Sequence, residues 1–358
     1  MERWLDDDRI RAHNSCLRMK LSALIPLSFL FIACSQPGVR TREANADVMR
    51  DIAATSLTAQ DAQQLISEGA IRVPAPPPEA GFISLPMSFH SGVPSFEAKI
   101  NGHRLRNVML DTGAALPLFE ARQAVKLGIQ PWKSEQQAPF QMNGVDGMEV
   151  GLPAVLRNVN LDGWDAGSAR CVIRTQENWV TLGSLPEYSE ITLMGWDFFA
   201  TRSRWLTVDY LSKRIKLGLS GTFYPVSSSR AKSVPFTLIH GVPSVEMSAN
   251  GVTWWAVLDT GSAIGVTIPH ELAAKVAPDD PGVAVDAPGL VFAGIGGGHN
   301  SRSGNIRVLN VPKLSAFGVD YPAAQIDVAP GPARVGSFFF SDYRVTFDFV
   351  SRRVWLEH

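Results

Sequence analysis

The chain has 358 residues, enough for two domains or for two lobes that share a core. Apolar residues make up 45% and charged residues 19%, which is the mixture of a globular protein rather than a disordered one. The formal net charge of −1 excludes a bulk electrostatic attraction to nucleic acid, so no nucleic-acid partner is expected.

Residues 1–33 are predicted to be a signal peptide, with Met19 as an alternative start. After Lys20 an apolar run leads to Cys34, and this run is too short to span a bilayer. Ile32-Ala33-Cys34 resembles a bacterial lipobox, which implies that Cys34 is lipidated and becomes the mature N-terminus. We therefore expect export to the periplasmic side of a bacterial membrane, with lipidated Cys34 as the membrane contact. An uncleaved N-terminal anchor is the alternative.

Residues 34–80 are predicted to form the lipidated N-terminus followed by a tether or a prosegment. The stretch is polar and alanine-rich with weak helical character, and prolines at positions 74 and 76–78 stiffen its end.

The remainder of the chain is an internal repeat. Gly92-Val93-Pro94-Ser95 returns as Gly241-Val242-Pro243-Ser244, each followed at the same spacing by Asn-Gly. Residues 108–113 and 256–261 also match, and both end in Asp-Thr-Gly. The duplication predicts a first lobe over 81–222 and a second lobe over 232–358.

Short alternating runs separated by Asn-Gly and glycine-rich turns predict an all-β fold in each copy. The tips of two hairpins are expected at Asn101-Gly102 and Asn250-Gly251. Short helices are predicted only at 120–127 and 270–276, after each Asp-Thr-Gly.

One Asp-Thr-Gly triplet by itself is typical of a turn, in which Asp accepts backbone N–H bonds and Gly takes a positive φ. Two triplets, each ending an apolar strand at the same place in a repeat, resemble the aspartic peptidases, specifically the bacterial retropepsin-like group, with two lobes fused as in pepsins. The resemblance covers nearly all of residues 81–358. It implies a bilobal fold of two β-barrel-like lobes with a cleft between them, and Asp111 and Asp259 as the catalytic pair.

The resemblance also implies the residues that support the site. Leu193-Met194-Gly195 and Arg334-Val335-Gly336 correspond to the hydrophobic-hydrophobic-Gly segments that pack beneath the catalytic loops, although Arg334 departs from the hydrophobic pattern. The support residues are Thr112, Gly113, Thr260, Gly261, Ser262, Gly195 and Gly336. The candidates for flaps over the substrate are Asn143 and Gly144 in copy one, and Gly294, Gly296 and Gly297 in copy two.

Two carboxylates held close together cannot both ionise, so the pair is expected to share one proton. In the family, a hydroxyl residue after the triplet donates a hydrogen bond to its own aspartate. Ser262 follows the second triplet and Ala114 the first, so Asp259 is expected to be ionised and Asp111 to carry the proton. The resemblance implies a polypeptide substrate, no metal or cofactor, and a monomer sufficient for the active site.

The sequence lacks the residue patterns of a zinc peptidase and of a serine hydrolase. His270-Glu271 has no second histidine at zinc-peptidase spacing, and the chain has no Gly-x-Ser-x-Gly elbow. The alternative to an active aspartic endopeptidase is a catalytically silent peptide- or ligand-binding envelope lipoprotein with the same fold.

Overall fold

The computed structural model describes residues 38–358 except for residue 91, residues 134–139, 145–146, 183–184, 189–191, 228–229, residue 281, and residues 285–290, 295–296 and 301–306. The signal peptide, Met19 and Cys34 therefore lie outside the described residues. Among the residues that are described, no helix combines the length and the apolar character needed to cross a membrane.

The chain consists mainly of strands. Those before the middle of the chain are β1 Gly38–Glu43, β2 Phe82–Pro86, β3 Ser88–His90, β4 Val93–Ile100, β5 His103–Asp111, β6 Leu118–Glu120, β7 Gln130–Pro131, β8 Phe140–Gly144, β9 Gly147–Leu156, β10 Val159–Leu161, β11 Trp164–Asp165, β12 Ala169–Arg174, β13 Gln176–Leu182, β14 Leu185–Tyr188, β15 Thr192–Gly195, β16 Trp205–Asp209 and β17 Arg214–Gly218. Those after it are β18 Lys232–Pro235, β19 Thr237–Ile239, β20 Val242–Ala249, β21 Val252–Asp259, β22 Val266–Ile268, β23 Val283–Ala284, β24 Val291–Gly294, β25 Gly297–Asn300, β26 Arg307–Ala316, β27 Val319–Val328, β28 Arg334–Gly336, β29 Arg344–Asp348 and β30 Arg353–Glu357.

The helices are short: α1 Ala46–Ala54, α2 Ala59–Ser67, α3 Ala121–Leu127, α4 Trp196–Ala200, α5 His270–Val276 and α6 Ser337–Phe340. The two helices predicted after the Asp-Thr-Gly triplets are α3 and α5, and both are confirmed. The prediction of no other helix within the repeats was wrong, because α4 and α6 follow Gly195 and Gly336. These helices have only five and four residues, too few to show a helical period.

The duplication reappears in the sheets. We call the large sheet of the first half the first lobe. Its strand order is β11-β10-β4-β5-β15-β6-β12-β9-β7, and in addition β3 pairs with β4 and β8 pairs with β9. The second lobe has the order β19-β20-β21-β28-β22-β27-β26-β23, and an additional pairing of β20 with β26 closes it into a barrel. The segment β5-β15-β6-β12 matches β21-β28-β22-β27 strand for strand. The predicted all-β, bilobal fold is thus confirmed.

The Asn-Gly hairpins are also confirmed. Asn101 and Asn250 have φ of 48° and 49°, and the glycines that follow them have φ of 90° and 79°. Positive φ at both central residues is what a two-residue type I′ turn requires, and its twist matches that of the strands it joins. Each turn leads directly into the strand that ends at a catalytic candidate.

A third sheet, β18-β30-β29-β16-β17-β2, draws strands from both halves. At its centre β16 and β29 pair antiparallel, and the hydroxyls of Thr207 and Thr346 lie 2.7 Å apart. Beside this sheet Trp196 makes edge-to-face contacts with Phe236, Phe347 and Phe349 of the second half, at centroid distances of 4.9–5.4 Å. The two lobes therefore share one apolar core.

The segment before the repeat packs against the first lobe. Strand β1 pairs with β13 and also lies against the β24–β25 hairpin of the second half. Helix α1 places Ile52 in the core with 1% of its surface exposed, and Leu57 and Leu65 form a small apolar cluster with Val155. Its role as a tether or as a prosegment stays a prediction.

Candidate active site

The two Asp-Thr-Gly triplets come together where β5 and β21 end. Each catalytic candidate is the last residue of its strand, and its parallel neighbour is a glycine: Gly195 pairs with Asp111, and Gly336 pairs with Asp259. A carboxylate at the end of a buried strand is held rigidly, which a catalytic group requires.

The threonines of the triplets link the two loops through four hydrogen bonds. The Thr112 N–H donates to Thr260 Oγ1 at 3.0 Å, and the Thr260 N–H donates to Thr112 Oγ1 at 3.1 Å. Each hydroxyl in turn donates to a carbonyl before the opposite aspartate, at 2.5 Å to Leu258 and at 2.8 Å to Leu110. Both threonines are completely buried, so the exchange of bonds fixes one loop against the other.

The triplet glycines permit the carboxylates to approach each other. A Cβ atom on Gly113 would lie 2.5 Å from Asp259 Cγ, and one on Gly261 would lie 2.6 Å from Asp111 Oδ1. Each aspartate therefore lies against the opposite triplet's glycine, where a side chain would collide.

Gly195 and Gly336 are required for a related reason. A Cβ on Gly195 would lie 2.6 Å from the Ala114 carbonyl oxygen, and one on Gly336 would lie 2.7 Å from that of Ser262. These segments do pack beneath the catalytic loops, as the sequence predicts.

Residues 96–198 match the family model of the aspartyl proteases. This range contains the first triplet and its supporting glycine, and the second half repeats both in the same sheet arrangement. This part of the chain is therefore similar to the aspartyl proteases.

This chain is similar to the solved structure of the aspartic proteinase from Irpex lacteus. The two chains are 11% identical, the alignment covers 77% of this chain and 97% of that one, and the TM-score is 0.45. A search of curated protein sequences finds no significant match.

The carboxylates of Asp111 and Asp259 form one coupled pair. Burial raises the pKa of Asp111 well above its usual range, and the charge of Asp259 raises it further. The N–H groups of Gly113 and Ala114, which lie 2.8 and 3.0 Å from Asp111 Oδ1, act in the opposite direction. These effects favour the protonated form of Asp111.

Arg334 makes the pair asymmetric. Burial also raises the pKa of Asp259, but the positive charge of Arg334 opposes that rise first, followed by the hydrogen bond with Asp111 and the N–H groups of Ser262 and Gly261. The equivalent position of the first lobe is Leu193, which has no charge. This asymmetry favours Asp259 as the ionised member, and that assignment stays a prediction.

The predicted role of Ser262 needs a correction. Its backbone N–H, and not its hydroxyl, is the group of Ser262 that lowers the pKa of Asp259, and the same N–H donates to the Asp259 main-chain carbonyl at 3.1 Å. The Ser262 hydroxyl lies 3.0 Å from the position that a Cβ on Gly336 would take.

Sequence reasoning also missed a chain of hydroxyls behind the second loop. Ser337 donates to the Thr260 carbonyl at 2.7 Å, and the Tyr210 hydroxyl lies 2.9 Å from Ser337 Oγ. Burial raises the pKa of Tyr210 far above its usual range, so the phenol stays protonated. The copy-one counterpart of Ser337 is Trp196, so comparing the two copies could have drawn attention to this position.

The flap candidates lie on two β-hairpins. Asn143 and Gly144 end β8, where Gly144 pairs with Gly147 of β9. Gly294 and Gly297 pair with each other in the β24–β25 hairpin, while Gly296 lies outside the described residues. Their role in covering a substrate stays a prediction.

A buried ion cluster, also missed from the sequence, attaches the first hairpin to its lobe. Arg174 on β12 donates to both carboxylate oxygens of Glu149 on β9, at 2.9 and 2.7 Å, and to Glu120 at 3.3 Å. Both side chains of the bidentate pair are buried. The two parallel hydrogen bonds of a bidentate pair hold both side chains in one geometry. Removing either partner would leave a buried charge uncompensated and would destabilise the protein.

Proposed function

We propose that the chain is an aspartic endopeptidase that hydrolyses peptide bonds with Asp111 and Asp259. The observation that carries this proposal is the pair of half-buried, hydrogen-bonded carboxylates at the ends of equivalent strands, locked together by the threonine exchange. A protein that only binds peptides has no need of two adjacent acids that share a proton.

In the proposed reaction the ionised Asp259 removes a proton from a water molecule, whose oxygen attacks the peptide carbonyl carbon. Asp111 gives its proton to the carbonyl oxygen, which produces a neutral tetrahedral intermediate. Asp259 then returns its proton to the amide nitrogen while Asp111 takes one from a hydroxyl of the intermediate, and the C–N bond breaks. The pair ends in the protonation state in which it began.

The test is hydrolysis of denatured casein or haemoglobin by the purified chain across acidic pH, with and without a pepstatin-type inhibitor. The proposal predicts acid-favoured proteolysis that the inhibitor abolishes. Absence of cleavage at every pH, with the chain shown to be folded, would contradict it.

The pH profile tests the assignment of the proton. The acidic limb of kcat/KM reports protonation of Asp259, whose pKa is held down by Arg334, so Arg334→Met is expected to move that limb to higher pH. Ser262→Ala keeps the backbone N–H and is expected to leave the limb in place. The charged and titratable groups acting on Asp259 are Arg334, Asp111 and Tyr210.

A limb that moves with Ser262→Ala and not with Arg334→Met would show that the hydroxyl, and not the guanidinium, sets the ionisation of Asp259. The profile is measured on one synthetic peptide for all three chains.

We also propose that the chain is exported to the periplasmic side of a bacterial membrane and anchored through a lipid on Cys34. Cys34→Ala is expected to abolish fatty-acid labelling and to release the chain from membranes. Cys16→Ala is the matched control, because Cys16 precedes Met19 and is expected to leave labelling unchanged. Unchanged labelling of the Cys34 variant would contradict this proposal.

A further inference from the structure

In the first lobe a row of side chains crosses the sheet beside the catalytic carboxylate. The row runs through Met109, Leu193, Leu118 and Val172, each of which pairs directly with the next across β5, β15, β6 and β12. Directly paired residues project from the same face of a sheet, and residues two apart on a strand share that face. Because Met109 lies two residues before Asp111, the row is on the face of the Asp111 side chain.

The second lobe has the equivalent row. It runs through Val257, Arg334, Thr267 and Asp327 on β21, β28, β22 and β27, again as direct partners. Val257 lies two residues before Asp259, so this row is on the face of the Asp259 side chain.

Burial identifies this face as the cleft side of each sheet. On β5, Val108 and Leu110 are completely buried in the core, whereas Met109 and Asp111 are half-buried. The last four residues of β21, 256–259, repeat the pattern. Met109 and Val257 therefore lie on the cleft side with the carboxylates, whereas the middle residues of the rows are buried: Leu193 and Leu118 in the first, Arg334 and Thr267 in the second.

The two rows differ in chemistry. The first is apolar throughout, and Met142 of the β8–β9 hairpin packs against it. The second contains a guanidinium, a hydroxyl and a carboxyl group. Arg334 is 3% exposed and donates to the carbonyls of Pro330 and Pro332 at 3.3 and 3.4 Å. Thr267 is completely buried, and its hydroxyl has no hydrogen-bond partner in the described part of the chain.

A buried hydroxyl without a partner destabilises a protein, so its position two strands away from the Asp259 strand is consistent with a ligand that supplies the missing hydrogen bond. Arg334 lies between Val257 and Thr267 in the row, and its charge acts on the carboxyl groups of both Asp259 and Asp327. The row thus offers donors at Arg334, an acceptor at Asp327 and a hydroxyl that can serve as either.

We propose that Arg334, Thr267 and Asp327 form a specificity subsite that binds an amide or carboxyl side chain of the substrate on one side of the scissile bond. The apolar row binds an apolar side chain on the other side. This inference rests on the proposed peptidase function. An aliphatic side chain placed on the polar row would leave the Thr267 hydroxyl unpaired, and a site of that kind discriminates against the apolar analogue.

The experiment is cleavage of a peptide library that varies both residues flanking the scissile bond. The wild-type chain is expected to prefer glutamine, asparagine or glutamate at one position and leucine, methionine or phenylalanine at the other. Arg334→Leu introduces the residue found at the equivalent position of the first lobe. It is expected to lower the ratio of kcat/KM for glutamine over leucine at the polar position by about tenfold and to leave the other position unchanged.

Thr267→Val is the second variant, because it removes only the hydroxyl and keeps the shape of the side chain. It is expected to lower the same ratio by about threefold or more. Arg104→Leu is the matched control: this arginine is 64% exposed, pairs with Glu97 on the surface of the first lobe, and should change neither preference. A wild-type preference for aliphatic residues at both positions, or a polar preference that survives both variants, would overturn the subsite.

The design separates this inference from the proposed function. Turnover without a polar preference overturns the subsite and leaves the peptidase proposal standing. If no peptide is cleaved, the peptidase proposal fails, and calorimetric binding of two peptides to the Asp111→Asn chain decides the subsite. A peptide with glutamine that binds about tenfold more tightly than its leucine counterpart supports it, and equal affinity overturns it.

Discussion

Replacing either Asp111 or Asp259 with asparagine is expected to lower kcat/KM by about three orders of magnitude or more while the fold stays intact. The amide nearly matches the carboxyl in shape, but it can neither accept the proton of the attacking water nor supply one to the carbonyl oxygen. The two residues act as a unit around one shared proton, so the double variant is expected to lose little beyond either single one.

The measurement is steady-state cleavage of a synthetic peptide, with thermal unfolding as the check on the fold. Asp162→Asn is the control, because Asp162 is exposed on the turn between β10 and β11 and its φ of 47° suits either residue. A variant of either catalytic aspartate that keeps full activity would show that the duplicated triplets are not the reactive site.

Gly113→Ala and Gly261→Ala are expected to have the second largest effect, a loss of about two orders of magnitude in kcat. The added methyl group would lie within 2.6 Å of the opposite carboxyl group in each case, so one loop must move away. That displacement separates the two carboxylates and strains the threonine bonds. Unfolding free energy is expected to fall by about 1–3 kcal/mol.

Gly265→Ala is the matched control for both glycines. It lies in the same second loop, but its added methyl group would have nothing closer than Phe338 at 3.7 Å, an ordinary contact distance. The variants are compared by kcat and by urea unfolding. Equal activity of all three alanine variants would mean that close approach of the two loops is not required.

The internal repeat explains why so much of the site could be predicted. Any feature that both copies need appears twice in the sequence, so the strands ending at Asp111 and Asp259, the Asn-Gly turns and the glycines at 195 and 336 were all found by comparing the copies. Duplication reveals what the two halves share.

The features that the copies do not share were missed for the same reason. In the sequence, Arg334 is only a departure from an apolar pattern. Its effect on the pKa of Asp259 becomes visible when β28 pairs with β21, which makes Arg334 the direct partner of Val257. Thr267 and Asp327 are sixty residues apart and become neighbours only through parallel pairing of β22 and β27. Parallel strands are not joined by a short turn that could fix their register, so the sequence of either strand alone does not show which residues become partners.

The N-terminal segment illustrates another limit. Its sequence between residues 43 and 68 is polar and rich in alanine, which is typical of a tether, yet a few apolar residues such as Ile52 and Leu65 are enough to pack two short helices against the first lobe. Whether a few isolated apolar residues become buried depends on the surface against which they pack, and the sequence of the segment does not show that surface.

Active-site titration with a tight pepstatin-type inhibitor tests the central claim, that one chain forms one working pair from Asp111 and Asp259. Residual activity is measured against the inhibitor-to-chain ratio at several protein concentrations. We predict an end point of one inhibitor per chain and a specific activity that does not change on dilution. An end point of one inhibitor per two chains with activity lost on dilution, or activity that persists at saturating inhibitor, would contradict the claim.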